Sequence, residues 1–428
     1  MQFPSQLNSR TLTNMHAILS VGADALVFIL LAWALWRLLG RSIPIAVVPI
    51  ILGLVLAATG WLPQSWGVPS VIGDRIGWVG VLLLAFTAGL ETRQFARTDS
   101  LAGASTESRS SAVRFVASAT LALLLPFLVG TLVAYHYFAL LPNWTTPNGD
   151  RVLGSVAIGL CIAVSALPVL IGIVRELGPL HRSLTGVAVR IAVIDDAVLW
   201  IGLALLLLFV DGDVALSAGS LLQLLALTVP VVMMAMGAIS RRRNFVPPGW
   251  AIWVAMPLYL IAGSWASSQL GLHALLGAYF AGAMIPPLWA RRLPVERIGQ
   301  FALLGLAPLF FGHSGLKIDG NALGWASLQA SLTLLAVSIA AKLAAVLICP
   351  PASALSKREA LAIGALLQCK GLMEIVAATI LRDKGLLSEH AFAALVTLAV
   401  LSTLLTGPLF RFILGRQARQ PQPERLLI

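Results

Sequence analysis

Thirteen largely apolar stretches follow one another along this chain, at residues 16–36, 44–60, 76–92, 113–138, 152–174, 184–210, 218–239, 250–270, 273–288, 298–314, 324–349, 359–381 and 389–413. A helix needs about 20 apolar residues to cross a ~30 Å hydrocarbon layer. Strands of a membrane barrel would alternate apolar and polar side chains. A run such as Ala204 to Val210 is apolar on every side, which selects helices. Residues 250–288 are too long for one crossing and are read as two short helices with a tight turn near Gly271. The expected fold is an all-α polytopic membrane protein of about 13 transmembrane helices.

The charge balance agrees with that reading. Only 11% of residues are charged, against roughly 25% in a soluble domain, and 58% are apolar. The mean hydropathy is +0.91. These values exclude a soluble globular protein, a disordered chain and a nucleic-acid-binding module. The formal charge is +11, and its placement is informative. With the N-terminus outside, inward segments carry 20 of the 29 Lys and Arg residues and outward segments carry 6. That asymmetry obeys the positive-inside rule and puts the C-terminus in the cytoplasm. Fusing the eighth and ninth stretches would put Arg241–Arg243 and the arginines at 291, 292 and 297 on opposite sides. No cleavable signal peptide is expected before the first stretch. Residues 1–414 are read as one transmembrane transporter domain and 415–428 as a short cytoplasmic tail. No appended nucleotide-binding domain is expected. Cys161, Cys349 and Cys369 form no metal or disulfide pattern and are read as small buried hydrophobes.

Seven charged residues lie well inside the apolar stretches, away from their ends: Asp24, Arg190, Asp195, Asp196, Lys342, Lys370 and Glu374. Each costs at least ~2.5–3.5 kcal/mol at the bilayer centre, so such residues face the bundle interior and mark ion or proton pathways. Asp195-Asp196 is the sharpest case, set midway along the sixth stretch. Two adjacent buried carboxylates do not both ionise easily, so one can exchange a proton. When ionised, the same oxygens ligate a hard monovalent cation. A proton and a cation competing for one group is the minimal chemistry of an antiporter. Lys342 lies deep in the eleventh stretch and needs a carboxylate partner, for which the Asp pair is the candidate. Arg190 is close enough to a span end to snorkel. Asp24, His273 and His313 are read as structural groups.

The fifth and twelfth stretches each carry an interruption. Pro168, in Ser165-Ala166-Leu167-Pro168, lacks an amide and is expected to break the helix, freeing carbonyls that join the Ser165 hydroxyl in a cation site. In the twelfth, Gly371 lies between Lys370 and Glu374, opposite charges spaced i and i+4. Matching interruptions in two halves point to inverted repeats. The repeats would be about 16–210 and 250–413, with 218–239 as linker helix and the broken helices crossing at mid-membrane.

Six motifs in order then give a resemblance: Phe86-Thr87-Ala88-Gly89-Leu90-Glu91, Ser165 to Leu170, Val193-Ile194-Asp195-Asp196, Gly271 to Gly282, Pro308 to Leu316, and Lys370-Gly371-Leu372-Met373-Glu374-Ile375. Together they resemble the second family of monovalent cation:proton antiporters. That family includes sodium/proton antiporters, potassium-efflux membrane domains and plant cation/proton exchangers. The resemblance implies an ion site at Asp196, with Ser165 and nearby carbonyls contributing, and an Asp195–Lys342 pair that forms in one state and opens in another. It also implies a homodimer in which a core of spans 4–6 and 11–13 moves.

The chain is thus expected to be a carrier and not an enzyme, exchanging Na+ or K+ for protons. It should need no cofactor and reside in a bilayer, with the bacterial cytoplasmic membrane expected. The proton- and cation-binding set is Asp196, Asp195 and Ser165, supported by Lys342, Lys370 and Glu374. A proton-coupled carrier of an organic solute, or a cation channel or sensor, are the alternatives.

Overall fold

The computed structural model describes residues 19–38, 45–62, 66–102, 109–141, 143–148, 150–177, 181–210, 221–318, 324–353 and 355–415. The outward N-terminus expected at residues 1–18 and the tail at 416–428 lie outside the described residues, as does most of the polar linker around Ser105–Ser111.

The described residues are helical, with short turns between helices. In chain order they form α1 (Leu19–Leu38), α2 (Val48–Thr59), α3 (Val71–Ala102), α4 (Arg109–His136), α5 (Arg151–Ala163), α6 (Leu167–Leu177), α7 (Arg182–Val210) and α8 (Leu221–Arg243). There follow α9 (Gly249–Gln269), α10 (Ala274–Met284), α11 (Val295–Leu316), α12 (Trp325–Ile348), α13 (Lys357–Leu366), α14 (Leu372–Asp383) and α15 (Glu389–Leu414). Among the described residues, nine helices are long and apolar enough to cross a membrane, and α2, α5 and α10 are shorter apolar helices.

Helix ends follow ordinary capping chemistry. Asp150 accepts from Leu153 N at 2.9 Å and starts α5. Ser356 and Glu359 form a reciprocal capping box at α13. Ser388 accepts from Ala391 N at 3.2 Å and starts α15. The turn expected near Gly271 separates α9 from α10; Gly271 has φ +75°, and His273 caps α10 by accepting from Leu275 N. Histidine at that position is structural, as its place in the sequence suggested.

The chain divides into two compact units, each made of two separate segments. The first comprises residues 1–97 and 203–325 and the second 98–202 and 326–428. In the first, α11 packs on α2, and α9 packs on both α8 and α10. The α9–α10 approach needs glycine: a Cβ on Gly263 would lie 2.7 Å from the Gly277 carbonyl oxygen. Large apolar side chains stand exposed along α8 and α9, among them Leu224, Val231, Leu258 and Ile261. Such faces suit hydrocarbon as solvent. In the second unit, α4 packs along α5, and α15 packs on both α13 and α14.

Candidate ion site

Two interrupted helices build the centre of the second unit. α5 ends at Ala163, α6 begins at Leu167, and Val164 is extended (φ −79°, ψ 158°). α13 ends at Leu366, and α14 begins after Gly371, which is extended as well (φ −148°, ψ −152°). The two interruptions touch: Ala166 N donates to the Cys369 carbonyl at 2.8 Å. A Cβ on Gly371 would lie 2.8 Å from Ala166 Cβ, so the second interruption passes the first only because residue 371 is glycine. Pro168 corrects one expectation. It does not sit in the break; it is the second residue of α6. Its missing N–H costs nothing in the first turn of a helix, so proline restarts the helix after a break that precedes it.

Unwound segments expose backbone groups that must find partners, and the buried side chains supply them. The Lys342 ammonium, on α12, donates to the Leu367 carbonyl at 2.8 Å and to Ser165 Oγ, and lies 3.4 Å from Asp195 Oδ2. Ser165 Oγ in turn donates to Asp195 Oδ2 at 2.6 Å. Lys342, Ser165 and Asp195 are all completely buried. Asp195 Oδ1 is buried without a hydrogen-bond partner among the described residues. Asp196, also buried, follows on α7. Successive helical residues diverge by about 100°, so the two carboxylates point differently.

The Lys370 ammonium donates to the carbonyls of Ile162, Val164 (3.2 Å) and Cys161 (3.5 Å). It therefore caps the C-terminal, negative end of α5 across the crossing. Both oxygens of buried Glu374 lack a hydrogen-bond partner among the described residues. The sequence reading also missed three supporting groups. Ser338 Oγ bonds the Ile162 carbonyl at 3.1 Å and Gln368 Oε1 at 3.0 Å. Gln368 Nε2 returns to the Ser338 carbonyl at 2.9 Å. Thr403 Oγ1 donates to the Lys370 carbonyl. The Arg190 guanidinium lies 4.9 Å from the Phe115 ring centroid. Asp24 and His313 belong to the first unit.

Helices interrupted at a shared point, with buried charge held at the interruption, are how secondary transporters build an ion site inside a bilayer. Comparison with known proteins narrows that class. A family model described as "Sodium/hydrogen exchanger, transmembrane" matches residues 25–416, and the chain belongs to this family. It is 28% identical to cation/H(+) antiporter 19 of Arabidopsis thaliana over 367 residues, 82% of this chain and 43% of that one. It is 25% identical to the Na(+)/H(+) antiporter NhaS4 of Synechocystis, covering 69% and 73% of the two chains. It is also 25% identical to K(+)/H(+) antiporter 1 of Saccharomyces cerevisiae, covering 85% and 42%. The chain thus spans less than half the length of the plant and yeast relatives. The solved structure of the sodium proton antiporter MjNhaP1 from Methanocaldococcus jannaschii has the same fold, with a TM-score of 0.61 at 16% identity over 94% of this chain and 98% of that one.

Proposed function

We propose that the chain is a secondary active antiporter that exchanges a monovalent cation, Na+ or K+, for protons by alternating access. The observation that carries this reading is the Lys342–Ser165–Asp195 cluster, buried where the two interrupted helices bond to each other. The names of the relatives support it, since they include both a Na(+)/H(+) and a K(+)/H(+) antiporter.

Asp196 is the cargo carboxylate in this reading, with Asp195 and Ser165 completing the oxygen set. Protonation of Asp196 releases the cation, and cation binding releases the proton. The site reorients only when occupied, because an uncompensated carboxylate is costly to carry through a barrier at lipid depth. Lys342 neutralises Asp195 while that pair is closed. A cation that draws Asp195 into its own shell displaces the ammonium. Lys370 holds the negative end of α5 in place, so that the carbonyls around Ser165 keep their positions. The short and split helices complete thirteen crossings in two inverted repeats. The N-terminus is outside, and the protein is a homodimer in a bacterial cytoplasmic membrane.

The test is reconstitution into liposomes with an inward proton gradient, followed by addition of Na+, K+, Li+ or Rb+ between about pH 6 and pH 9. Proton movement that depends on the cation is expected, and Asp196→Asn should abolish it. Undiminished exchange in Asp196→Asn would remove the proposed site. Flux that persists with the pH gradient clamped would indicate a channel instead.

A further inference from the structure

The first unit contains a second buried charge cluster that the exchange chemistry does not use. Asp24 on α1 is completely buried, and so is His313 on α11. His313 Nε2 lies 3.0 Å from Asp24 Oδ1, and His313 Nδ1 lies 3.0 Å from Asp74 Oδ1 on α3. Asp24 Oδ2 accepts from the backbone N–H of Ser70 at 3.0 Å and from its hydroxyl. Lys317 Nζ donates to both oxygens of Asp74, at 3.2 and 2.9 Å. The chain of groups therefore runs from a sealed carboxylate to a surface pair, since the Asp74 and Lys317 side chains are 42% and 44% exposed.

Counting protons decides its state. A neutral imidazole carries one N–H and one lone pair. Here both ring nitrogens face carboxylate oxygens at hydrogen-bond distance. With a neutral ring and two carboxylates, one 3.0 Å contact would set a lone pair against an anion. The arrangement needs one more proton. Asp24 Oδ2 receives two donors and Asp74 receives an ammonium. An imidazolium supplies the additional proton, with an N–H on each ring nitrogen facing an oxygen. With it, the cluster holds two positive and two negative charges; without it, a net negative charge remains.

Among the described residues, Asp24 and Asp74 are the titratable groups that face the ring. α2, packed against this end of α11, has none in its sequence, nor has the segment 302–306. α1 contributes Asp24, α3 contributes Asp74, and α11 itself adds Lys317. The edge contact of the Phe28 ring, at 5.5 Å, is apolar. Both joined helices also contain a π-helical turn, at Leu26–Leu31 of α1 and Ala302–Leu306 of α11. Such turns inside α-helices are frequent at functional sites.

We propose that His313, as an imidazolium between Asp24 and Asp74, is a proton-operated clasp joining α1, α3 and α11, and that losing its proton at alkaline pH frees the two π-helical turns. This gives the first unit a pH-sensing role separate from the cargo site. The two ion pairs of the clasp exist only while the ring is protonated, so their stabilisation is present on the acid side and is lost as the ring gives up its proton.

The test uses the full chain, 15N-labelled at histidine, in lipid nanodiscs, with His313 assigned by difference against His313→Gln. At pH 7 the His313 signals should show a proton on both ring nitrogens. A single protonated nitrogen at pH 7 would overturn the proposal. Amide hydrogen exchange, corrected for the intrinsic pH effect, then reads the joint. Exchange in Leu26–Leu31 and Ala302–Leu306 should rise roughly tenfold or more as the ring loses its proton, and His313→Gln should show no such step. The same step in His313→Gln would also overturn it. Asp74→Asn leaves buried Asp24 and His313 in place and serves if His313→Gln does not fold. It should move the step toward lower pH, and an unmoved step would count against the clasp.

Discussion

The Lys342–Ser165–Asp195 cluster of the second unit and the Asp24–His313–Asp74–Lys317 chain of the first are both built from acids and bases buried among apolar helices. They differ in how fully their oxygens are satisfied. In the first unit each oxygen of Asp24 and Asp74 accepts at least one bond. In the second, Asp195 Oδ1 and both oxygens of Glu374 are buried without a hydrogen-bond partner among the described residues. Oxygens left over in a low-dielectric interior are costly, and a site that exchanges one positive charge for another needs such oxygens. A cluster with every oxygen engaged is suited to hold helices together and to respond to one proton.

The largest expected effect separates the two clusters at their cores. Asp195→Ala leaves the Lys342 ammonium buried without its carboxylate and should cost ~3–5 kcal/mol of stability. Asp195→Ala combined with Lys342→Met should recover most of that loss, because no buried charge is then stranded. Thermal unfolding in detergent of the single and double variants measures the coupling. If the double variant is as unstable as the single, the pair is not the element that matters.

In the first unit, Asp24→Asn weakens a charged hydrogen-bond set and should cost ~1.5–3 kcal/mol. Its pH dependence carries the sharper information. The stabilisation lost is that of a protonated ring, so the gap between wild type and Asp24→Asn should be widest on the acid side and close as pH rises through the ring's deprotonation. A gap that widens with pH would show that the ring is neutral in the folded chain. Gly371→Ala comes next, at ~1–3 kcal/mol for overpacking, because the added methyl meets Ala166 and Val169 at the crossing. Its effect on cation-dependent proton movement should exceed its effect on unfolding, since the crossing positions Ser165.

Much of the second unit was legible in the sequence, because charge inside an apolar run is conspicuous. Asp195, Asp196, Lys342, Lys370 and Glu374 stand out with no knowledge of the fold, and the Ser165 and Gly371 segments mark the two interruptions. What the sequence could not supply was partnership. Lys370 and Glu374 are spaced i and i+4, but Lys370 lies in the interruption, before α14 begins at Leu372. The freed carbonyls of α5 then claim the ammonium. Ser338, Gln368 and Thr403 carry no mark, since a hydroxyl in an apolar helix commonly bonds the carbonyl four residues back, as Ser331 does with Ser327. Asp24 and His313 were read singly as structural groups. They are 289 residues apart, and only the packing of α1, α3 and α11 brings them together.

The smallest expected effect lies at the exposed end of the first cluster. Lys317 and Asp74 form an ion pair at 2.9 Å, but both side chains are more than two-fifths exposed. A solvent-exposed pair contributes about 0–1 kcal/mol, so Lys317→Met should hardly change stability at any single pH. It should still alter the clasp. Without the ammonium, Asp74 has only the His313 ring to balance its charge, so the ring should keep its proton to higher pH. The exchange step at Leu26–Leu31 should then move toward the alkaline side, opposite to the shift expected for Asp74→Asn. Opposite shifts from two neighbouring substitutions, neither of which removes apolar packing, would tie the step to electrostatics at His313. Shifts in the same direction would trace it to a general loosening of α11.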